Sequence, residues 1–494
     1  MEFLEKGNIF YAQGKLEEAV ACFDKAITIN PNYTDAYHKK GIALREMGKN
    51  KEAIVCFDTV INLDPHFADA YNKKGISLKA MGKNEEALIY YDKAISIDPT
   101  YAKAYSNKGV ALNGMGKRYE AIICYDKALS LEPNYANAYN NKGVTLEGLG
   151  KREEAIACFD KAINLKPDDA FTYNNKGVSL KEMGKNEDAI ICYDQAISLN
   201  PNYANAYNNK GVALNGVGKR EEAIACFDKA ISLKPSYVDA YNNKGIALKA
   251  MGKNEEAIVC YDKAIDINPN YAQAYINKGV ALNGMGKKEE AILFYDKAIN
   301  LNPNYVDAFH NKGVALREIG RKEEALVWYD KAINVSISKE PLYYCNRCCL
   351  YHELGQIEKA LEDFKTAYQL VQQDIWGSHV SARNKNYIKK ILSKILELEI
   401  GVKETARRLN KLDQKDLAVK DAVGKFKKIQ EEKSIFVGQQ VSTLDNNKSI
   451  SQEEMDKANE KVQELEKQLK ELNEKLIHLT ERVATVEKTV QGMS

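Results

Sequence analysis

Three residues near position 350 have types and spacing suited to a metal ion. Cys345, Cys349 and His352 fall at i, i+4 and i+7, one face of a helix, and two thiolates with an imidazole supply three of the four ligands that zinc takes. No fourth ligand and no second Cys pair is evident, so the same residues also read as a degenerate repeat; neither metal nor cofactor is expected. Seven other cysteines, at 22, 56, 124, 158, 192, 226 and 260, share one recurring position ahead of an aromatic. Tyr90, Phe294 and Trp328 alternate with them there, which marks a packing slot rather than a reactive one. The sequence has no His–Asp–Ser or Cys–His constellation and no phosphate loop, so no catalytic residue is assigned and an enzyme is not expected.

The functional promise lies in asparagines. Asn107, Asn141, Asn175, Asn209, Asn243, Asn277, Asn311 and Asn346 recur at one position, and a second Asn precedes four of them at 140, 174, 208 and 242. A primary amide carries two donors and two acceptor sites, so such a column can pair with the N–H and C=O groups of an extended peptide. It can equally hydrogen-bond within its own scaffold, and both readings stand. Lys39 and Lys73 hold the same position in the two preceding units. Arg45, Lys79, Lys181, Lys249 and Arg317 alternate with Asn113, Asn215 and Asn283 further along. That mixture suits a peptide with spaced acidic residues, or simply a solvated face.

The elements that position these residues follow from a period. Nine of the ten prolines lie 34 residues apart, from Pro31 to Pro303, and glycines keep the same step from Gly14 to Gly320, then Gly355. A fixed period of this size means stacked supersecondary units. In the unit Ala204 to Tyr237, Tyr207, Gly211 and Leu214 mark one helical face, and Gly218 stops that helix. Glu221 and Glu222 open a second helix, Ala223, Phe227 and Ala230 make its apolar stripe, and Pro235 ends it. A hairpin of two such helices cannot bury its apolar faces alone, so neighbours must stack on it.

An aromatic, a Gly, a bulky residue, Ala, an aromatic, Ala and Pro over 34 residues resemble the tetratricopeptide repeat, across residues 1–374 in eleven units. The resemblance implies an all-α, right-handed superhelical solenoid with first helices lining a concave groove, and a scaffold or adaptor function. The asparagine column resembles that of the tetratricopeptide arm of O-linked N-acetylglucosamine transferase, which implies partner proteins or peptides held in extended conformation. The alternatives are a substrate-targeting arm for a separate enzyme such as a glycosyltransferase, or a chaperone cofactor. The family's carboxylate clamp is not expected, because its Asn slot holds Ile42, Ile76, Val110 or Val144, and Asn8 has Leu4 where the clamp needs Lys. Lys210 and its equivalents stand beside the Gly where the family has Leu; a Lys stem can cover apolar surface with its head in water.

After residue 374 the period ends. Residues 375–451 read as a basic helical segment and linker, with 14 Lys+Arg against 6 Asp+Glu over 383–428 and Ile388, Ile391, Leu392, Ile395 and Leu398 at helical spacing. From 452 to 494 the spacing is heptad, with Val462, Leu469, Leu476 and Val483 at a and Leu465, Leu472, Leu479 and Val486 at d. This predicts a coiled coil that pairs two chains as a homodimer; packing against the preceding basic helix is the alternative. A net charge of +2 selects neither nucleic acid nor membrane, and no 18-residue apolar run occurs. With no basic n-region and dispersed cysteines, the expected location is cytoplasmic.

Overall fold

The computed structural model describes residues 2–337, 340–372, 405–406, 421–422, 424–433 and 452–491. Regular structure among the described residues is entirely helical. Helices run from α1 (Glu2–Ala12) to α22 (Ile357–Gln372), and from α1 to α15 (Val238–Ala250) and again from α16 (Asn254–Ile267) to α22 each packs on the next in sequence. The chain divides into two units, 1–251 and 252–494, the boundary falling between α15 and α16. Within each unit, odd-numbered helices of successive pairs touch one another, whereas no two even-numbered helices do so among the described residues. First helices therefore form the inner layer and second helices the outer.

The pair α13 (Ala204–Gly216) and α14 (Arg220–Leu233) shows why. Gly218 adopts φ +83°, and the N–H groups of Lys219 and Gly218 close onto the carbonyls of Leu214 and Asn215. That double closure satisfies carbonyls a helix end would otherwise orphan, as the glycine predicted. At the far end Lys234, before Pro235, is driven out of the helical region to φ −137°, ψ 86°. Leu214, Ala223 and Phe227 make one buried cluster with Ala247 of the next pair. Burial is thus completed by the neighbour, which is why the unit must repeat. Gly211 lies against the Phe227 ring, where a Cβ would come within 2.6 Å of it.

The lysine that departs from the family pattern has a defined role. Lys210 reaches back to Asp194 of the preceding pair at 2.5 Å. Lys40–Asp24, Lys108–Asp92, Lys142–Asp126, Lys176–Asp160 and Lys244–Asp228 repeat the contact at 2.6 Å. Lys74–Asp58, Lys278–Asp262 and Lys312–Asp296 continue it, and Arg347 closes the series on Asp330 and Asp363. Burial disfavours the charged ammonium of Lys210, but the Asp194 carboxylate outweighs it and raises the pKa. Each pair is partly wet and contributes only about 0.2–1 kcal/mol. Repeated at every step, the pairs fix how one hairpin seats on the last.

The recurring Cys slot lines the same lysines. Where the slot is aromatic, the ammonium lies over the ring, Lys74 over Tyr90 at 4.1 Å and Lys312 over Trp328 at 3.9 Å. Among the cysteines of the slot, Cys56 is pushed up to about 11 by burial against the pull of Lys40. Cys124, Cys158 and Cys192 move the same way for the same reason. These thiols are expected to stay protonated at pH 7.5. Ellman's reagent should then modify them at least 100-fold more slowly in the native chain than in urea; equal rates would contradict the packing role.

In the long helix Gln452–Gln491, Ala458, Val462, Leu465, Leu469, Leu472 and Leu476 are buried within the single chain. The side chains of Leu479, Val483 and Val486 lie outside the described residues, as do Ile388 to Leu398 and the 434–451 linker. Ala422, Phe426 and Ile429 are buried as well, at i, i+4 and i+7. Lys461 donates to Glu432 at 2.8 Å and Thr405 to Asn473 at 3.0 Å, so the segment before the linker lies against this helix.

Candidate functional site

The inner faces of the first helices carry the asparagine column. In unit 1, Asn107 Nδ2 donates to Asn72 Oδ1 at 2.9 Å, one pair back. Asn175 donates to Asn140 at 3.1 Å, and Asn209 to Asn174 and Asn243 to Asn208 at 3.0 Å. The second asparagines are therefore the acceptors of the first, and Asn72, Asn174 and Asn208 are buried in that role. The column residues themselves stay half-buried, and Asn141 shares that exposure. In unit 2, Asn277 accepts from Gln273 at 3.2 Å. There Ile276 fills the acceptor slot, and Asn311 hydrogen-bonds instead to the neighbouring His310 ring. Asn346 is buried and meets His310 Nε2 at 2.5 Å, the same step in the ladder.

The two lysines of the column behave differently from its amides. Lys39 is exposed, without an ion-pair partner among the described residues, and Lys73 lies 3.6 Å from Asp69. Asp69 also receives Tyr101 Oη and lies 2.9 Å from His38 Nε2. Burial alone would raise its pKa, but the bonds from His38 and Tyr101 and the charge of Lys73 outweigh it and hold the carboxyl well below the usual range. Tyr101 in turn accepts from Asn72 at 3.1 Å, so this polar chain joins the start of the amide ladder. The sequence reading missed Asn72, Asp69, Tyr101 and His310. The available signal was that Asn72 and His310 hold the same repeat position as Asn174 and Asn208.

Two further rows flank the column. One is β-branched and half-buried, Ile42, Ile76, Val110, Val178 and Val212, with Val144 more exposed. The other holds the alternating cations, part of whose charge is already spent. Lys181 pairs with Glu182 at 2.8 Å, Arg45 lies 3.7 Å from Glu46, and Arg317 grips Glu353 at 2.7 Å. Lys79 has no such partner among the described residues. Cys345 and Cys349 are buried in an apolar cluster with Tyr344, Ala367 and Leu370, and no metal-binding group of His, Cys, Asp or Glu occurs among the described residues. The His352 side chain lies outside them.

Family models described as TPR repeat match residues 7–48, 41–82, 177–218 and 217–252. Models described as tetratricopeptide repeat match 68–101, 102–135, 136–169, 158–191, 238–271, 272–305, 294–327 and 342–373. The chain belongs to the tetratricopeptide-repeat family. Among curated proteins no relative matches it. Solved tetratricopeptide-repeat structures similar to it include YrrB, described as having an unusual peptide-binding site, at 28% identity over 37% of this chain and 95% of YrrB, with a TM-score of 0.32. MamA is 29% identical over 33% of this chain and 94% of its own, with a TM-score of 0.31. Yeast Tom70 is 15% identical over 75% of this chain and 91% of its own, with a TM-score of 0.41. The tetratricopeptide repeat is an interaction module, and no described helix is long and apolar enough to cross a membrane.

Proposed function

We propose that this tetratricopeptide-repeat chain is a non-enzymatic scaffold whose inner face holds extended segments of partner proteins. The observation that carries the reading is the row of half-buried amides in unit 1, each tethered by one N–H to the preceding repeat. The tether fixes the amide's orientation and leaves its second N–H to meet a peptide backbone, so little ordering entropy is lost on binding; the carbonyl of Asn209 also accepts from Asn208 at 3.4 Å. The β-branched row beside it offers contact to alternate side chains of an extended segment. Lys39 and Lys79 are the cations with charge to spare for acidic residues of that segment. Pairing of two chains through the heptad helix belongs to the same proposal. It requires each long helix to give up its intramolecular cover, because the seam from Val462 to Leu476 is buried within one chain.

The test uses full-length chain and fluorescent peptides enriched on it from a display library of unstructured dodecamers. Asn175→Ala, Asn209→Ala and Asn243→Ala together are expected to weaken binding at least tenfold. They also take the column donor from the buried carbonyls of Asn174 and Asn208, while Asn140 keeps Thr172 as a donor, so a lower melting temperature accompanies the loss. Gly218→Ala is the control: it strains the turn at φ +83° away from the column, and is expected to destabilise without changing peptide affinity. Wild-type affinity in the triple variant, at a temperature where its helical circular dichroism is intact, assigns the column to the scaffold alone.

A further inference from the structure

The outer layer of unit 1 carries an apolar row left exposed among the described residues. Val55, Ile89 and Ile123 sit at one repeat position on α4 (Asn50–Leu63), α6 (Asn84–Ile97) and α8 (Arg118–Leu131), and are 65%, 66% and 68% exposed. Tyr119, one turn before Ile123, is 68% exposed. In the next pair the position shrinks to Ala157, so the large residues are contiguous over three successive helices. Single exposed aliphatics are ordinary, but a contiguous patch of this kind on a soluble surface marks an interaction site.

The charges around the row say what fits it. Three residues before each member is an acid, as in Glu86 and Glu120, and four residues after Ile89 and Ile123 come Lys93 and Lys127. The i−3, i and i+4 positions share one helical face, so the outer surface presents an acidic row, an apolar row and a basic row side by side. Glu120, Lys93 and Lys127 have no ion-pair partner among the described residues. An anionic membrane would meet the acidic row, and a partner of either single charge would be repelled by one side.

We propose that this face binds a second copy of the same chain about a two-fold axis running along the apolar row. That rotation lays apolar row on apolar row and the acidic row of each copy on the basic row of the other. An axis parallel to the helices would set acid against acid. The surface is self-complementary in the first arrangement alone, which is the requirement of an isologous contact. This contact is separate from the heptad seam of the long helix and from the peptide-binding face.

Full-length chain is tested by sedimentation equilibrium up to 100 μM, with circular dichroism confirming that each variant is folded. The wild type is expected to dimerise. Ile89→Glu with Ile123→Glu is expected to weaken the dimer at least tenfold. A chain with Lys93→Glu and Lys127→Glu, and another with Glu86→Lys and Glu120→Lys, should each self-associate more weakly than wild type. Mixed together they should regain wild-type affinity as a heterodimer, because every row again meets its opposite. A monomeric wild type, equal association in all chains, or no recovery on mixing overturns the proposal. Undiminished association after Ile89→Glu with Ile123→Glu also overturns it, assigning self-association to another surface such as the heptad helix.

Discussion

Gly211→Ala is expected to destabilise the chain by about 2 kcal/mol, although Ala is intrinsically the better helix former by about 1 kcal/mol. The added Cβ would lie 2.6 Å from Phe227 Cε1 and 2.9 Å from both Cδ1 and Cζ. Phe227 is buried and held by Leu214, Ala223 and Ala247, so the ring cannot swing aside without opening the contact to the next pair. Overpacking in a close-packed interior costs about 1–3 kcal/mol, and here it exceeds the propensity gain. Gly218→Ala is the contrasting case. Its Cβ would meet nothing within 4 Å, and the cost is that of the left-handed backbone at φ +83°. Urea unfolding followed by circular dichroism checks both. Adding Phe227→Leu should recover part of the Gly211→Ala loss while recovering none from Gly218→Ala. A Gly211→Ala chain as stable as wild type would sink the close-contact account.

The second large effect is a pH dependence seated in one histidine. His310 is packed between the rings of Tyr329 and Tyr343, with centroids at 6.0 and 5.2 Å, and its Nε2 faces the Asn346 amide at 2.5 Å. Burial pulls its pKa from 6.5 down to about 4, opposed in part by Asn311. The folded chain therefore refuses a proton that the unfolded chain binds. Stability is full above pH 6.5, falls as pH drops from 6.5 towards 4, and loses nothing more from this group below that. The whole drop is about 3 kcal/mol. His310→Asn restores the amide found at the equivalent positions Asn174 and Asn208, which accept the same bond without titrating. Unfolding free energies measured from pH 7.5 to 4 should diverge between the two chains across that window. Parallel curves would show that His310 carries no proton linkage.

Much of the fold was legible because its signals are local and repeated. Gly218 and Pro235 punctuate helices through their own backbone chemistry, and Tyr207, Leu214 and Phe227 declare their faces by spacing within a few turns. Repetition turned weak single signals into strong ones. Less of the candidate site was legible. Position and type marked the asparagine column, but two compatible uses of an amide left its role open. The acceptors Asn140, Asn174 and Asn208 were visible only as neighbours of the column and His310 only by sharing their repeat position, and Asp69 not at all, since His38 and Tyr101 lie in other repeats.

The sequence by itself determined what depends on residues a few positions apart: the helices, their stops, the small residues under each aromatic ring, and the 34-residue step. The tertiary structure decided what depends on how one hairpin seats on the next. Lys210 meets Asp194 sixteen positions back and Asn209 meets Asn174 thirty-five back, and the period alone assigns neither partner. The same holds for the heptad seam. Its apolar face is written in the spacing, but a hydrophobic stripe is non-directional and accepts any complementary stripe. Chain geometry brought the segment carrying Phe426 and Ile429 to this helix, joined by Lys461–Glu432 and Thr405–Asn473.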